Sequence, residues 1–214
     1  MRIFLVGNPN VGKSVVFQRL TGIFAIASNY PGTTVELATG KTRLGNGMAE
    51  VADLPGTYSL EPNSEAEKVT ARMLNGLERD DIIVNVLDST NLERSLGLTL
   101  QVAQLRRPMI IALNIWDEAI HTGITIDVKL LEEIVGLPCL PIVALTGEGV
   151  KALIDSVPHA RVSGLEFDSA RRWDEVGKII ERVQIITHRH HTLLDRLGDA
   201  SLRPFTGIMI ALCV

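Results

Sequence analysis

Cysteine is nearly missing from this sequence: its 214 residues contain two, Cys139 and Cys213. Two thiols so far apart build no disulfide framework, so a reducing compartment is the expected setting. Basic charge is not in excess either. Lys and Arg number 21 against 25 Asp and Glu, a formal net charge of −4. No broad positive field is present to hold nucleic acid by counterion release, which argues against an RNA or DNA partner. Internal repeats and low-complexity tracts are also missing. Met1–Val6 is apolar, but Gly7, Asn8 and Pro9 interrupt it well short of a leader-peptide core. No apolar run reaches the roughly 20 residues that cross a bilayer. The nearest approach is PFTGIMIALCV from Pro204. It reads either as a buried final element or as the opening of a membrane helix.

What is present is a regular alternation. Arg2–Val6 is a β-branched apolar run that reads as a buried strand. Lys13–Leu20 follows as a helix, with Val16, Phe17 and Leu20 on one face and Gly22 as its stop. Ile23–Thr34 has no period and is expected as a loop. Val35–Arg43 and Met48–Ala52 flank Gly45-Asn46-Gly47 as a hairpin. Ser64 and Glu67 form a capping box that opens a helix to about Asn75. Asp81–Leu87, Met109–Asn114 and Pro138–Ala144 are further strands. Helices are expected at about Asn91–Arg106, Asp127–Val135 and Gly149–Ser156. The expectation is an α/β fold with a six-stranded, mostly parallel sheet and one antiparallel edge strand. A boundary falls near residue 165. Phe167–Leu197 reads as one long helix or two shorter ones, which makes 166–203 a small helical appendage ahead of 204–214.

Between the first strand and the first helix stands Gly7-Asn8-Pro9-Asn10-Val11-Gly12-Lys13-Ser14. This is the GxxxxGK[ST] phosphate loop in its required strand–helix context. Its amides, from Asn8 through Val15, are expected to cradle phosphates at a helix N-terminus. Lys13 would reach the β- and γ-phosphates, and the Ser14 hydroxyl would bind Mg²⁺. Asp53-Leu54-Pro55-Gly56 ends the third strand. Asp53 would hold Mg²⁺ through water, and the Gly56 amide would sense the γ-phosphate. A threonine before the second strand should add a hydroxyl to Mg²⁺. Thr34 is the choice, since it directly precedes Val35, with Thr33 as the alternative.

Asn114-Ile115-Trp116-Asp117 follows the Met109–Asn114 strand. The Asp117 carboxylate can accept from guanine N1–H and the 2-amino group, donors that adenine lacks, so GTP and GDP are the expected ligands. Asn114 would brace the loop. The last base contact is expected from the Ala144 amide. Its neighbours Val143 and Leu145 stand where Ser and Lys are usual, so a loose hold on the base and fast GDP release are expected. Thr57 stands where related enzymes carry a water-orienting glutamine, and no arginine finger is visible, so slow intrinsic turnover is expected.

Beyond these shared motifs, the chain resembles the N-terminal cytosolic GTPase domain of the bacterial ferrous-iron transport family, FeoB, within the Ras-like P-loop class. The resemblance is carried by GNPNVGKS, by Asn29–Glu36, by DLPGTYSL at 53–60 and by LDSTNLERSLGLTLQ at 87–101. ALN at 112–114 and DEA at 117–119 extend it. It implies a GTPase on the cytoplasmic face of the bacterial inner membrane. A helical spacer would link it to a C-terminal membrane domain that is its own partner, and a homo-oligomer is compatible with this. It also implies that Asn10 binds K⁺ beside the phosphates, in place of an arginine finger. Leu194–Leu197 and Arg203–Gly207 resemble the entry to the first membrane helix. Two other readings stay open: a soluble GTPase of RNA maturation, and a feebly catalytic nucleotide-binding interaction module. His188, His190 and His191 read as solvated surface, and Cys139 reads as core.

Overall fold

The computed structural model describes residues 1–22, 26–45, 47–62 and 64–187. The histidine cluster at 188–191, the membrane-entry reading at 194–207 and the apolar segment 204–214 lie outside the described residues. Among the described residues, no helix is long and apolar enough to cross a membrane.

Seven strands form the main sheet: β1 (Arg2–Gly7), β2 (Ile26–Asn29), β3 (Glu36–Leu44), β4 (Gly47–Asp53), β5 (Ile82–Asp88), β6 (Met109–Asn114) and β8 (Cys139–Pro141). Their order is β2-β3-β4-β1-β5-β6-β8. β1 pairs in parallel with β4 and β5, β5 with β6, and β6 with β8. β3 runs antiparallel to β4, as expected for strands flanking Gly45-Asn46-Gly47, with Leu44 opposite Gly47. All six expected strands are present. β2 is a seventh, added antiparallel along β3 inside the stretch read as a loop. It is short and lacks an apolar period because it pairs on one side only, which is why the pattern missed it. The antiparallel β3 is consequently one strand in from the edge.

Helices cover both faces. α1 (Lys13–Thr21) and α6 (Val150–Ser156) pack through Val16, Phe17, Leu20, Val150 and Leu153 against Ile3, Leu5, Val84 and Val86. The other face carries α2 (Glu65–Asn75), α3 (Leu92–Ala103), α5 (Val128–Val135) and α7 (Arg172–Val183) over Phe4, Val6, Ile83 and Leu87. The alternation along β5 divides the two cores, as period-two geometry demands. Ser64 is the N-cap of α2, its hydroxyl accepting from the Glu67 amide at 3.2 Å, which is one half of the expected capping box. α4 (Trp116–His121) and β7 (Ile124–Ile126) fill a stretch the sequence reading left blank.

The helical stretch expected from Phe167 is shorter than its pattern. After α7 the chain becomes β9 (Gln184–Ile186), antiparallel to β7. Val176, Ile179 and Val183 share one face of α7 and enter the same apolar core as α3 and α5. Burying each of these is worth roughly 1.5–3 kcal/mol. The six-membered rim of Trp173 lies against Gly97 of α3, where a Cβ would come within 2.6 Å of the indole. Leu165 and Phe167 pack against that same core.

At the foot of the sheet, Arg2 donates through Nε and Nη2 to the two carboxylate oxygens of Asp81. Burial pushes the Asp81 carboxyl up. The hydrogen bond from Arg2, another from the Glu78 amide and the charge of Arg2 outweigh it and hold the group below its ordinary value. Cys139 is buried, and burial pushes its thiol far up, so it sits in the core as a neutral group.

Candidate functional site

The phosphate loop leaves the carboxyl end of β1 and turns into α1. Its last turn is left-handed: Gly12 caps the helix at φ +80°, and a Cβ there would sit 2.4 Å from Asn114 Nδ2. Only glycine meets both conditions. Asn10 is also left-handed, at φ 67°, a conformation asparagine tolerates better than most residues. Asn8, Pro9, Asn10, Gly12, Lys13, Ser14 and Val15 line one cavity together with Gly56. Val11 does not; its side chain is buried in the α1–α6 core, and only its backbone belongs to the loop.

Asp53, at the end of β4, meets this loop. Lys13 Nζ pairs with Asp53 Oδ1, both side chains being nearly buried. Ser14 Oγ donates to Asp53 Oδ2 at 2.8 Å. The three groups nominated for phosphate and Mg²⁺ therefore converge, and each is bonded within the triad. Asn8, 4% exposed, has a side-chain Nδ2 with no partner among the described residues. An orphaned donor in a cradle of amides and one lysine is what an anionic ligand would satisfy. Gly56 lies against Pro9, whose Cα a Cβ would approach to 3.0 Å.

Three threonines of this end are placed differently from their neighbours. Thr34 is exposed and is not among the cavity residues. The Thr33 hydroxyl closes its own turn, donating to the Tyr30 carbonyl at 3.0 Å and accepting from the Val35 amide at 3.3 Å. Thr57, in the glutamine position, is 1% exposed. Its hydroxyl donates to the Ser59 carbonyl at 2.5 Å and stands 3.2 Å from the Glu67 carboxylate. It faces the protein interior and holds the turn after Gly56.

The second half of the site is a neighbouring cavity lined by Gly12, Val15, Ile115, Asp117, Val143, Ala144 and Leu145, with Asn114 and Glu118. Asn114 ties it to the phosphate loop: its Nδ2 donates to the Val11 carbonyl at 2.9 Å, and its Oδ1 accepts from the Ala144 amide at 3.0 Å. The amide nominated for the guanine oxygen is thus bonded to Asn114. Ile115 adopts φ 60° as the cap of α4. A β-branched residue avoids that region, and such strain costs about 1–3 kcal/mol. It swings the first turn of α4 so that exposed Asp117 reaches the cavity, while half-buried Trp116 packs on the core. The 143–149 turn closes on itself through Val143 N to Glu148 O at 2.9 Å and Gly147 N to Val143 O at 2.8 Å. Sequence reasoning gave no signal for Ile115, since strain at one residue leaves no pattern. It gave none for Arg19, which reaches this turn from α1.

Fold and site together define a P-loop nucleotide-binding domain of the Ras-like GTPase class. The chain belongs to the ferrous iron transport protein B family, whose N-terminal model it matches over residues 1–157. Over 159 residues it is 44% identical to the Fe(2+) transporter FeoB of Legionella pneumophila, covering 72% of this chain and 21% of that one. The chain thus spans about a fifth of the length of that relative. Its fold is similar to the cytosolic domain of L. pneumophila FeoB, with a TM-score of 0.80 and 32% identity over 86% of this chain and all of that one. The cytosolic domain of the T. maritima FeoB iron transporter in its GMPPNP form matches with a TM-score of 0.79 and 25% identity, over 86% of this chain and 99% of that one.

Proposed function

We propose that this domain binds GTP and GDP with Mg²⁺, hydrolyses GTP slowly, and regulates ferrous-iron uptake by a membrane domain to which it is joined. The observation that carries this reading is the convergence of Lys13 and Ser14 on Asp53 inside the phosphate cradle. In this reading Lys13 exchanges Asp53 for the β- and γ-phosphate oxygens. Ser14 and Asp53 hold Mg²⁺, which neutralises charge on the β- and γ-phosphates when bound. The amides of the phosphate loop and of Gly56 stabilise the charge that develops during in-line attack by water. Asn10, left-handed and lining the cavity, offers a side-chain oxygen for K⁺. Thr34 joins the site only if the loop before β3 closes over it. Asp117 selects guanine, and Asn114 couples the base to the phosphates.

The interior placement of Thr57 favours slow turnover, because the side chain in the glutamine position is turned inward and bonded to the Ser59 carbonyl. The same placement keeps a second reading, a nucleotide-binding module with negligible hydrolysis. The proposed organisation is a G domain over 1–165, a short spacer over 166–203 and a membrane entry at 204–214, with the G domain on the cytoplasmic face of the bacterial inner membrane. Two measurements test the proposal. Purified domain should bind GDP far more tightly than ADP, and single-turnover GTP hydrolysis should exceed the uncatalysed rate. Equal affinity for ADP would overturn the nucleotide assignment. Binding without turnover would establish the second reading.

A further inference from the structure

We infer that Arg19 is a positioning residue that latches the guanine-contacting turn and sets the rate at which GDP leaves. This rests on the nucleotide assignment above. Arg19 stands in the last turn of α1, the helix whose first turn carries Lys13 and Ser14. Its side chain crosses to the turn after β8. Nε donates to the Ala144 carbonyl at 2.8 Å, and Nη2 donates to the Leu145 carbonyl. Gly147, left-handed at φ +92°, lies over the guanidinium at a separation that would put a Cβ 3.7 Å from Arg19 Cζ. One planar fork therefore holds two successive carbonyls of the turn that lines the base cavity through Val143, Ala144 and Leu145.

A trans peptide sets its C=O and N–H antiparallel, so gripping both carbonyls fixes two consecutive peptide planes. The amides of Leu145 and Thr146 are thereby turned away from α1, and neither plane can flip without breaking a charge-assisted bond. The turn's own bonds, Val143 N to Glu148 O and Gly147 N to Val143 O, close its base, whereas the Ala144 and Leu145 carbonyls are held by Arg19. Val143 and Leu145 replace the usual polar residues, and Leu145 is 77% exposed. Asn114 anchors the Ala144 amide from the β6 side, and Arg19 anchors the carbonyls from the α1 side. Residue types within the turn suggest a loosely held base; the latch comes from a different element and opposes that.

The test is stopped-flow release of fluorescent GDP from the whole domain, alongside steady-state hydrolysis. Losing charge-assisted bonds at a partly exposed site should speed GDP release of Arg19→Ala about tenfold and raise KM by a similar factor, with kcat not lowered. Arg19→Lys should fall between the two, because an ammonium is a point donor that cannot span both carbonyls. Release from Arg19→Ala within twofold of the parent overturns the inference while leaving the nucleotide assignment intact. If the parent itself binds no guanine nucleotide, both fall. If Arg19→Ala does not fold, Arg19→Lys and Arg19→Gln decide: release at the parent rate from both overturns the latch. An equal fall in kcat and kcat/KM does the same, because it would mean that Arg19 serves the chemistry or the fold and not the base.

Discussion

The two ends of the nucleotide cleft are built on opposite plans. At the phosphate end, the polar groups bond one another: Lys13 and Ser14 both hold Asp53, and the buried Asn8 side chain has a donor with no partner among the described residues. A ligand there must exchange partners. At the base end, the scaffold is tied from outside by Asn114, by Arg19 and by a closed turn, and the surface offered to a ligand is largely apolar apart from Asp117. A ligand there meets a shape already set. The difference teaches where affinity and where response reside. Partner exchange is sensitive to the charge of the ligand, which suits a γ-phosphate switch. A braced pocket suits discrimination between purines, because it leaves few ways to accommodate the wrong one.

Breaking the phosphate end should have the largest effect. Lys13→Ala removes the phosphate contact and strands the nearly buried Asp53 carboxylate, so single-turnover GTP hydrolysis should fall by about 10³-fold or more. A loss under tenfold would show that the triad is not the reacting centre. At the base end, Asp117→Asn puts an amide donor where guanine offers donors. Guanine affinity should fall by about 10²-fold, and xanthosine diphosphate, with an acceptor at that position, should gain, as competition titration would reveal. Smaller still is the effect expected of the K⁺ proposed at Asn10. Replacing NaCl by KCl should raise hydrolysis about tenfold in the parent and leave Asn10→Ala unmoved; identical rates in the parent would remove K⁺ from the site.

The smallest effect lies outside the cleft. Asp81 is held below its ordinary value in the folded state, so its contribution is fully present above the ordinary carboxylate range. It is lost as pH falls through the folded value. Asp81→Asn should lower stability by about 1–2 kcal/mol at neutral pH, and the gap to the parent should close below about pH 4. Nucleotide affinity should not change. A gap that persists in acid would show that shape, and not charge, holds Arg2.

The sheet and the phosphate loop were legible because each rests on a local rule. Arg2–Val6 and Met109–Asn114 are continuous apolar runs, Ser64 and Glu67 are a capping signal, and GNPNVGKS names its own turn. Asp53 and Asn114 were legible as motif residues at strand ends. β2 was not, since four residues paired along one side are too few to show a period. β9 was not, because Gln184–Ile186 continues the apolar spacing of α7 and becomes a strand only by pairing with β7, nearly 60 residues away. Arg19 and Ile115 are invisible to any pattern: one acts across 125 residues of chain, and the other through a backbone angle.

The chain contains only two tryptophans, and their placement gives the domain built-in optics. Trp116 packs half-buried on the core between Ile115 and Asp117, which line the base cavity, whereas Trp173 rests on Gly97 on the α3–α7 face. Replacing Trp173 by phenylalanine would leave one indole whose emission follows occupancy by the purine, and replacing Trp116 would leave one that follows the seating of α7. Ligand arrival and detachment of α7 can thus be watched separately, in the same protein, without attaching a dye.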